Sequence, residues 1–326
     1  MLLVASCAER RHIQSTSVRP PAPAHAEPSG IDAPLVIVTL DGVRWQEVFD
    51  GTEPARSHGP RIPSSQLLPN LYAFGTERGA FVGAPGRGEI RASGPNYVSL
   101  PGYSELFSGR TAHGCGGNDC PRTTAPTLLD EARARGGQVA AFASWTRLDF
   151  ALTSTPGGFR VACGPLGGSA EGVPDLDSQR SDYETANAAL AYYEAERPDV
   201  FYLGLGETDE HAHFDNYAGY LAALRHADDV LGRLRGMLDR DERGRRTHVF
   251  VTADHGRARD FKNHGGDMPE SARVWMVASG PRVAARGFVR SKAMRHLADL
   301  APTARALTGL DPTQRPKDGV VLDELF

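Results

Sequence analysis

The sequence predicts an α/β fold with a mostly parallel central sheet flanked by helices. From about residue 33, short apolar runs alternate with amphipathic stretches, the pattern of strands and helices taken in turn. Four runs carry the prediction: PLVIVTL at 34–40, QVAAFAS at 138–144, VFYLGLG at 200–206 and HVFVTAD at 248–254. Each is rich in Val, Leu, Ala or Phe and is followed by polar or glycine residues, as buried parallel strands are. A fifth run, VWMVASG at 274–280, completes the sheet. Tyr217, Leu221, Leu224, Leu231, Leu234 and Leu238 recur at helical spacing and predict one helix leading to the strand at 248. His226, Asp228 and Asp229 read as its solvated face. With no internal repeat, we expect one domain over 33–326 after a tether over 1–32.

Composition narrows the class of partner. Of 326 residues, 40% are hydrophobic and 23% charged, which suits a globular protein with a full core. The 36 basic residues against 40 acidic ones give a net charge of −4, so no nucleic-acid polymer is expected and the partner is a small molecule. No apolar run reaches the roughly 18 to 20 residues that span a bilayer. The opening MLLVASC resembles the end of a bacterial lipoprotein signal, which would lipidate Cys7, attach the protein to a membrane and place it in the periplasm or at the cell surface. A frayed terminus with a chance cysteine is the plainer reading. The Pro, Ala and Ser content of residues 15–30 suits an extended tether.

Cys115 and Cys120 in HGCGGNDC are close enough for a tight local disulfide in an oxidising compartment, leaving Cys163 unpaired. Two readings compete with this. His113, Cys115 and Cys120 offer metal-ligating atoms, although no fourth ligand stands at the usual spacing, and two free thiols remain the default in a reducing compartment.

Metal-binding residue types stand directly after the predicted strands, at the carboxyl ends where open α/β sheets place their ligands. Asp41 follows VIVTL, Asp209 and His213 follow VFYLGLGET, Asp254 and His255 end HVFVTA, and His264 lies in FKNHGG. Asp-Gly and Asp-His-Gly are each common turns when taken alone. Three carboxylates and three imidazoles at successive strand ends are a joint pattern that turns do not explain.

These residues carry a resemblance to the alkaline phosphatase superfamily over most of residues 33–282. LDGVRWQEVFDG resembles its first metal motif, TDEHAH its second and TADHGRARDFKNHG its third, in the same order. The superfamily places a nucleophilic Ser or Thr between the first two motifs at the start of a helix, and YVSLPGYSELFSGR supplies Ser99, with Pro101 suited to the first helical turn. The resemblance implies two divalent ions. One would be held by Asp209, His213 and His264, the other by Asp41, Asp254, His255 and the Ser99 oxygen. Nitrogen and oxygen ligands without thiolate suit zinc best, with manganese or iron as alternatives. The implied activity is phosphoric ester hydrolysis through a phosphoseryl intermediate on Ser99, with backbone N–H groups of the helix N-terminus facing the phosphoryl oxygens.

Within the superfamily, sulfatases carry C/S-x-P-x-R, whereas Ser99-Leu100-Pro101-Gly102-Tyr103 has Tyr in place of Arg, which disfavours a sulfatase. The cofactor-independent phosphoglycerate mutases carry a large inserted domain for which this chain is short. The nucleotide pyrophosphatase/phosphodiesterase branch uses an Asn shortly after the nucleophile helix, and Asn118 matches it, implying a phosphodiester or nucleotide pyrophosphate substrate. The related monoesterases add a Lys and Arg pair. Here SWTRLDF offers only Arg147, which would either bind a monoester dianion or pair with a neighbouring acid. Phosphate monoesterase and phosphotransferase remain the alternatives. The Gly-, Pro- and Ser-rich segments 51–66, 83–96 and 156–178 are expected to shape the substrate entrance.

Overall fold

The computed structural model describes residues 30–111, 114–165, 177–266, 268–310 and 319–326. Cys7, His113 and most of the expected tether lie outside the described residues. The fold begins slightly before residue 33: Gly30 N donates to Arg135 O at 3.0 Å and Asp32 N to Thr308 O at 2.8 Å.

The main sheet contains eight described strands: β1 (Leu35–Leu40), β2 (Gly79–Val82), β4 (Val139–Ala143), β5 (Arg160–Cys163), β6 (Val200–Leu205), β7 (His248–Thr252), β9 (Met276–Ser279) and β10 (Gly287–Phe288). A small second sheet holds β3 (Ile90–Arg91), β8 (Arg273–Val274) and β11 (Arg295–His296). Across the main sheet the order is β10-β2-β9-β7-β1-β6-β4-β5. The predicted runs at 34–40, 138–144, 200–206 and 248–254 form parallel neighbours. The fifth run joins the sheet but runs antiparallel to both β7 and β2. Its direction is set by the return over residues 253–275 from β7, which the composition of the strand does not encode.

β1 is the centre of the site's scaffold. It is buried along its whole length and pairs in parallel with β6 on one side and β7 on the other, with Thr39 opposite Gly204 and Thr252. This register brings the carboxyl ends of the three strands together, so residues just beyond 40, 205 and 252 converge although they are far apart in sequence.

The predicted helix spans Tyr217–Leu238, with Tyr217, Leu221, Leu224, Leu231, Leu234 and Leu238 on its buried face. Asp228 departs from the solvated-face expectation. It is buried and accepts hydrogen bonds from the backbone N–H groups of Asn70 and Leu71 at 3.0 and 2.8 Å. These are free donors of the first turn of the helix Pro69–Glu77, which has no side-chain cap of its own, so Asp228 supplies one from a distant helix. No described helix is long and apolar enough to cross a membrane.

Candidate metal centre

Asp41 follows β1, Asp254 and His255 follow β7, and Asp209 and His213 lie on the helix Glu207–His213 that follows β6. Two glycines permit their close approach. Gly42 has φ +61°, and a Cβ there would lie 2.3 Å from Asp209 Oδ1; a Cβ at Gly102 would lie 2.3 Å from the Asp254 carbonyl oxygen. Any larger residue at either position would force these chains apart.

Ser99 opens the helix Ser99–Ser108 and is buried. Its hydroxyl donates to Asp41 Oδ1 at 3.3 Å and lies 3.3 Å from His255 Nε2. Two groups of side chains have ligating atoms close enough to share an ion: Asp209, His213 and His264 in one, and Asp41, Asp209 and His255 in the other. The first group is the predicted one. The second shares Asp41 and His255 with the predicted set and also takes in Asp209. Asp254 lies beside it, with Oδ1 accepting from Gly42 N at 3.1 Å and Oδ2 buried, without a hydrogen-bond partner, 3.5 Å from His255 Nε2.

The donors fit divalent ions on chemical grounds. His255 Nδ1 donates to the Gly256 carbonyl at 2.8 Å and His264 Nδ1 to the Tyr97 carbonyl at 3.0 Å, which leaves both Nε2 lone pairs facing the centre. Burial lowers the His255 imidazole to about 4 and the His264 imidazole to about 3, so both are held neutral, as ligands must be. Three buried carboxylates stand against one buried cation, Arg257. Burial and the charges of Asp254 and Asp209 push Asp41 well above the usual carboxylate range, and burial and Asp209 do the same to Asp254. For Asp209 burial acts upward, but the His213 hydrogen bond and the Arg257 guanidinium outweigh it and hold the group low. The surplus of carboxylate and the orphaned Asp254 oxygen are what divalent cations would offset.

Two residues of the centre escaped the sequence reading. Arg257 is buried, donates to Asp209 Oδ1 and is fixed by the carbonyls of Phe261 and Lys262. Its only local signal was its place two residues after His255. Tyr103, noted above only for replacing an arginine, donates its hydroxyl to Asp41 Oδ2 at 3.0 Å and lies at the end of a buried chain through Thr39 to Tyr202. Tyr103→Phe is expected to weaken metal binding about 10-fold or more by freeing the Asp41 carboxylate, with little loss of folded protein. Chelator competition checks this, and wild-type affinity would argue that Tyr103 does not orient Asp41.

Asn118 is where the sequence placed it, beside the nucleophile. Its Oδ1 accepts from Leu100 N at 2.8 Å, and it lines the same cleft of about 190 Å³ as Asp41, Ser99, Asp209 and His213. The Leu100 N–H, one of the helix N-terminal donors, is therefore engaged by Asn118. Cys115 and Cys120 form a disulfide on either side of Asn118, and Cys163 is a free thiol. Closing so short a loop adds little global stability, since the entropy removed from the unfolded chain grows with loop length. Cys115→Ser combined with Cys120→Ser should therefore reduce turnover several-fold while moving the melting temperature by only a few degrees. A fully active double variant, or a mass map linking Cys163 to either residue, would contradict this role.

Arg147 does not line the cleft that holds Ser99. Its Nε and Nη2 donate to Asp177 Oδ1 at 3.2 and 3.1 Å, so of its two expected roles the structure shows the ion pair. Of the three segments expected at the entrance, only the end of 156–178, at Asp177, reaches the cleft among the described residues.

The fold is shared with solved structures of the alkaline phosphatase superfamily, and the clustered Asp and His side chains form two groups able to hold metal ions, as a metal-dependent enzyme requires. Residues 167–312 match the model of the metalloenzyme superfamily. Over 146 residues, 43% of this chain, the sequence is 34% identical to a 2,3-bisphosphoglycerate-independent phosphoglycerate mutase of Natronomonas pharaonis. The chain spans about a quarter of the length of the curated relatives it matches, 27% and 26%. Among solved structures, the lipoteichoic acid synthase of Listeria monocytogenes superposes with a TM-score of 0.60 at 16% identity, covering 91% of this chain and 76% of that one. Murine ectonucleotide pyrophosphatase/phosphodiesterase 5 superposes with a TM-score of 0.59 at 15% identity, covering 90% of this chain and 100% of that one.

Proposed function

We propose that this protein hydrolyses phosphodiesters, with Ser99 as nucleophile and two divalent ions, zinc by ligand type, held by Asp209, His213 and His264 and by Asp41, Asp209, Asp254 and His255. The observation that carries the diester over the monoester is the cleft wall: among the described residues, neither Lys nor Arg lines it. A monoester dianion bears one more charge than a diester and calls for a further cation, and the candidate, Arg147, is paired with Asp177. The likeness to a phosphodiesterase in fold supports the same reading.

When bound, the two ions would supply positive charge for the phosphoryl oxygens and favour the ionised form of a serine hydroxyl. The chain's own residues do the rest. Tyr103 and Arg257 hold Asp41 and Asp209 in place, Asn118 Nδ2 donates to a phosphoryl oxygen, and the helix beginning at Ser99 directs its partial positive charge at the same group. Ser99 Oγ attacks phosphorus and the leaving alcohol departs with the bonding pair. Water then cleaves the phosphoserine. The disulfide supports an oxidising compartment, in keeping with a periplasmic or surface lipoprotein anchored at Cys7.

The test is turnover of a phosphate monoester and a diester that share one aryl leaving group. We expect the diester to be favoured, and the preference to persist in Arg147→Ala. A monoester turned over far faster, with the advantage lost in Arg147→Ala, establishes the monoesterase instead. Adding an alcohol acceptor separates hydrolysis from phosphoryl transfer, which would appear as a new ester.

A further inference from the structure

The cleft that holds Ser99 has a second half, bounded by Trp145, Asp177, Gln179 and Glu210. This wall is built from two separated segments tied together. Trp145, just after β4, pairs with Gln179 in an antiparallel bridge, flanked by Thr146 N to Ser178 O at 3.1 Å and Arg180 N to Ser144 O at 2.9 Å. Its polar groups are fixed in turn. Gln179 Nε2 donates to Glu210 Oε1 at 2.6 Å, and Asp177 is held by Arg147. The half-cleft is thus lined by one aromatic residue, one carboxamide and two oriented carboxylates, in the same cleft as the nucleophile.

Three classes of leaving group can be weighed against this wall. A phosphate-bearing group would meet the Glu210 carboxylate, with no Lys or Arg lining the cleft among the described residues and the Arg147 charge already taken up by Asp177, and like charges at such a site discriminate strongly. A nucleoside is also large for about 190 Å³, well under the roughly 300–1,000 Å³ of pockets that hold drug-sized ligands. An ammonium alcohol would be drawn to the carboxylates. However, Arg147 offsets the charge of Asp177, and a single ring is not the aromatic cage such cations use. A small polyhydroxyl alcohol satisfies all the groups at once: its C–H face lies against Trp145, its hydroxyls donate to the carboxylate oxygens, and it accepts from the Gln179 amide.

We propose that this half-cleft is the leaving-group subsite and selects a small uncharged polyol, glycerol or a single sugar, with Trp145, Gln179 and Glu210 as its specificity-determining residues. The proposal rests on the phosphodiester reading above and narrows it away from nucleotide pyrophosphates. In the first step the Ser99 Oγ–P bond forms and the P–O bond to the polyol breaks; the polyol oxygen keeps the electron pair and takes up the proton lost by Ser99. Water then displaces Ser99 Oγ from phosphorus, giving the phosphate monoester of the other alcohol and restoring the serine proton.

The experiment uses the full chain with zinc and the methyl phosphodiesters of glycerol, glucose (at its 6-hydroxyl), choline and adenosine (at its 5′-hydroxyl), with methyl 4-nitrophenyl phosphate as reference. Phosphorus NMR identifies which alcohol leaves. The expected result is release of glycerol or glucose, leaving methyl phosphate, with kcat/KM at least 10-fold above the choline and adenosine esters; the two polyol arms show which source fits. In Trp145→Ala and in Glu210→Gln, the ratio of polyol to nitrophenyl turnover should fall about 10-fold, and Glu210→Gln, a partly exposed isostere, preserves the comparison if Trp145→Ala does not fold. Preference for the choline or adenosine ester, or an unchanged ratio in Glu210→Gln, overturns the subsite. If wild type spares the nitrophenyl diester but cleaves 4-nitrophenyl phosphate, the diester reading alone fails, and the same comparison on glycerol phosphate, choline phosphate and adenosine monophosphate decides the subsite. Inactivity on every ester overturns both.

Discussion

Ser99→Ala is expected to lower turnover by about three orders of magnitude or more while leaving about two divalent ions bound. The asymmetry follows from the geometry. The Ser99 hydroxyl is the only nucleophile among the described residues lining the cleft that stands at a helix N-terminus, within 3.3 Å of both Asp41 Oδ1 and His255 Nε2. Metal retention, by contrast, rests on carboxylates and imidazoles that the substitution leaves in place. Helix and packing should persist as well, since alanine is the best helix former and Ser99 occupies the first turn. Elemental analysis alongside turnover of an aryl phosphate ester checks both halves. Wild-type rates would refute Ser99 as nucleophile, and an inactive variant stripped of metal would recast it as chiefly a ligand.

Asp209→Ala should have the broader effect, because this carboxylate is common to both groups of ligands. We expect both ions to be weakened and activity to be lost, whereas His264→Ala removes a donor from one group alone and should cost metal mainly there. Asp209→Ala also strips Arg257 of its carboxylate in a buried setting, which by analogy with broken buried pairs costs about 3–5 kcal/mol of stability. Asp209→Asn separates the two consequences. It keeps a hydrogen-bond acceptor for Arg257 but removes the anionic ligand, so it should lose metal with a smaller fall in melting temperature than the alanine variant. Metal analysis showing an unchanged pair of ions in Asp209→Ala would count against the assignment, and equal melting points for the two variants would show that Arg257 does not depend on a hydrogen-bond acceptor at position 209.

Both expectations lean on Arg257, whose role is a matter of charge. The centre gathers Asp41, Asp209 and Asp254 in one buried volume with His255 and His264 held neutral. A single guanidinium offsets one of the three negative charges, and the remainder is what the metal ions would balance. Its fixed contacts to Phe261 and Lys262 tie the loop that carries His264 to the carboxylate that shares its ion-binding group.

Much of this protein was determined by local sequence. The apolar runs at 34–40, 138–144, 200–206 and 248–254 specified strands because burial on both faces selects continuous apolar residues, and the Tyr217 to Leu238 stripe specified its helix by period alone. The ligands Asp41, Asp209, His213, Asp254, His255 and His264 were legible because each stands at or near a strand end, where the chain has just left the sheet. Ser99 and Asn118 were legible through the resemblance to the superfamily's motifs, and the Cys115–Cys120 pair through its separation of 5 residues. Tertiary structure alone decided what depended on neighbours distant in sequence. It decided that Asp209 is common to both groups, that Tyr103 orients Asp41 and Arg257 holds Asp209, that Asp228 turns inward to cap the helix Pro69–Glu77, that β9 runs against its neighbours, and that Trp145, Gln179 and Glu210 form one wall. The physical reason is one of range: periodicity and turn chemistry act over a few residues, whereas the partner of a buried polar group is set by sheet order and register, which exist only once the chain has folded.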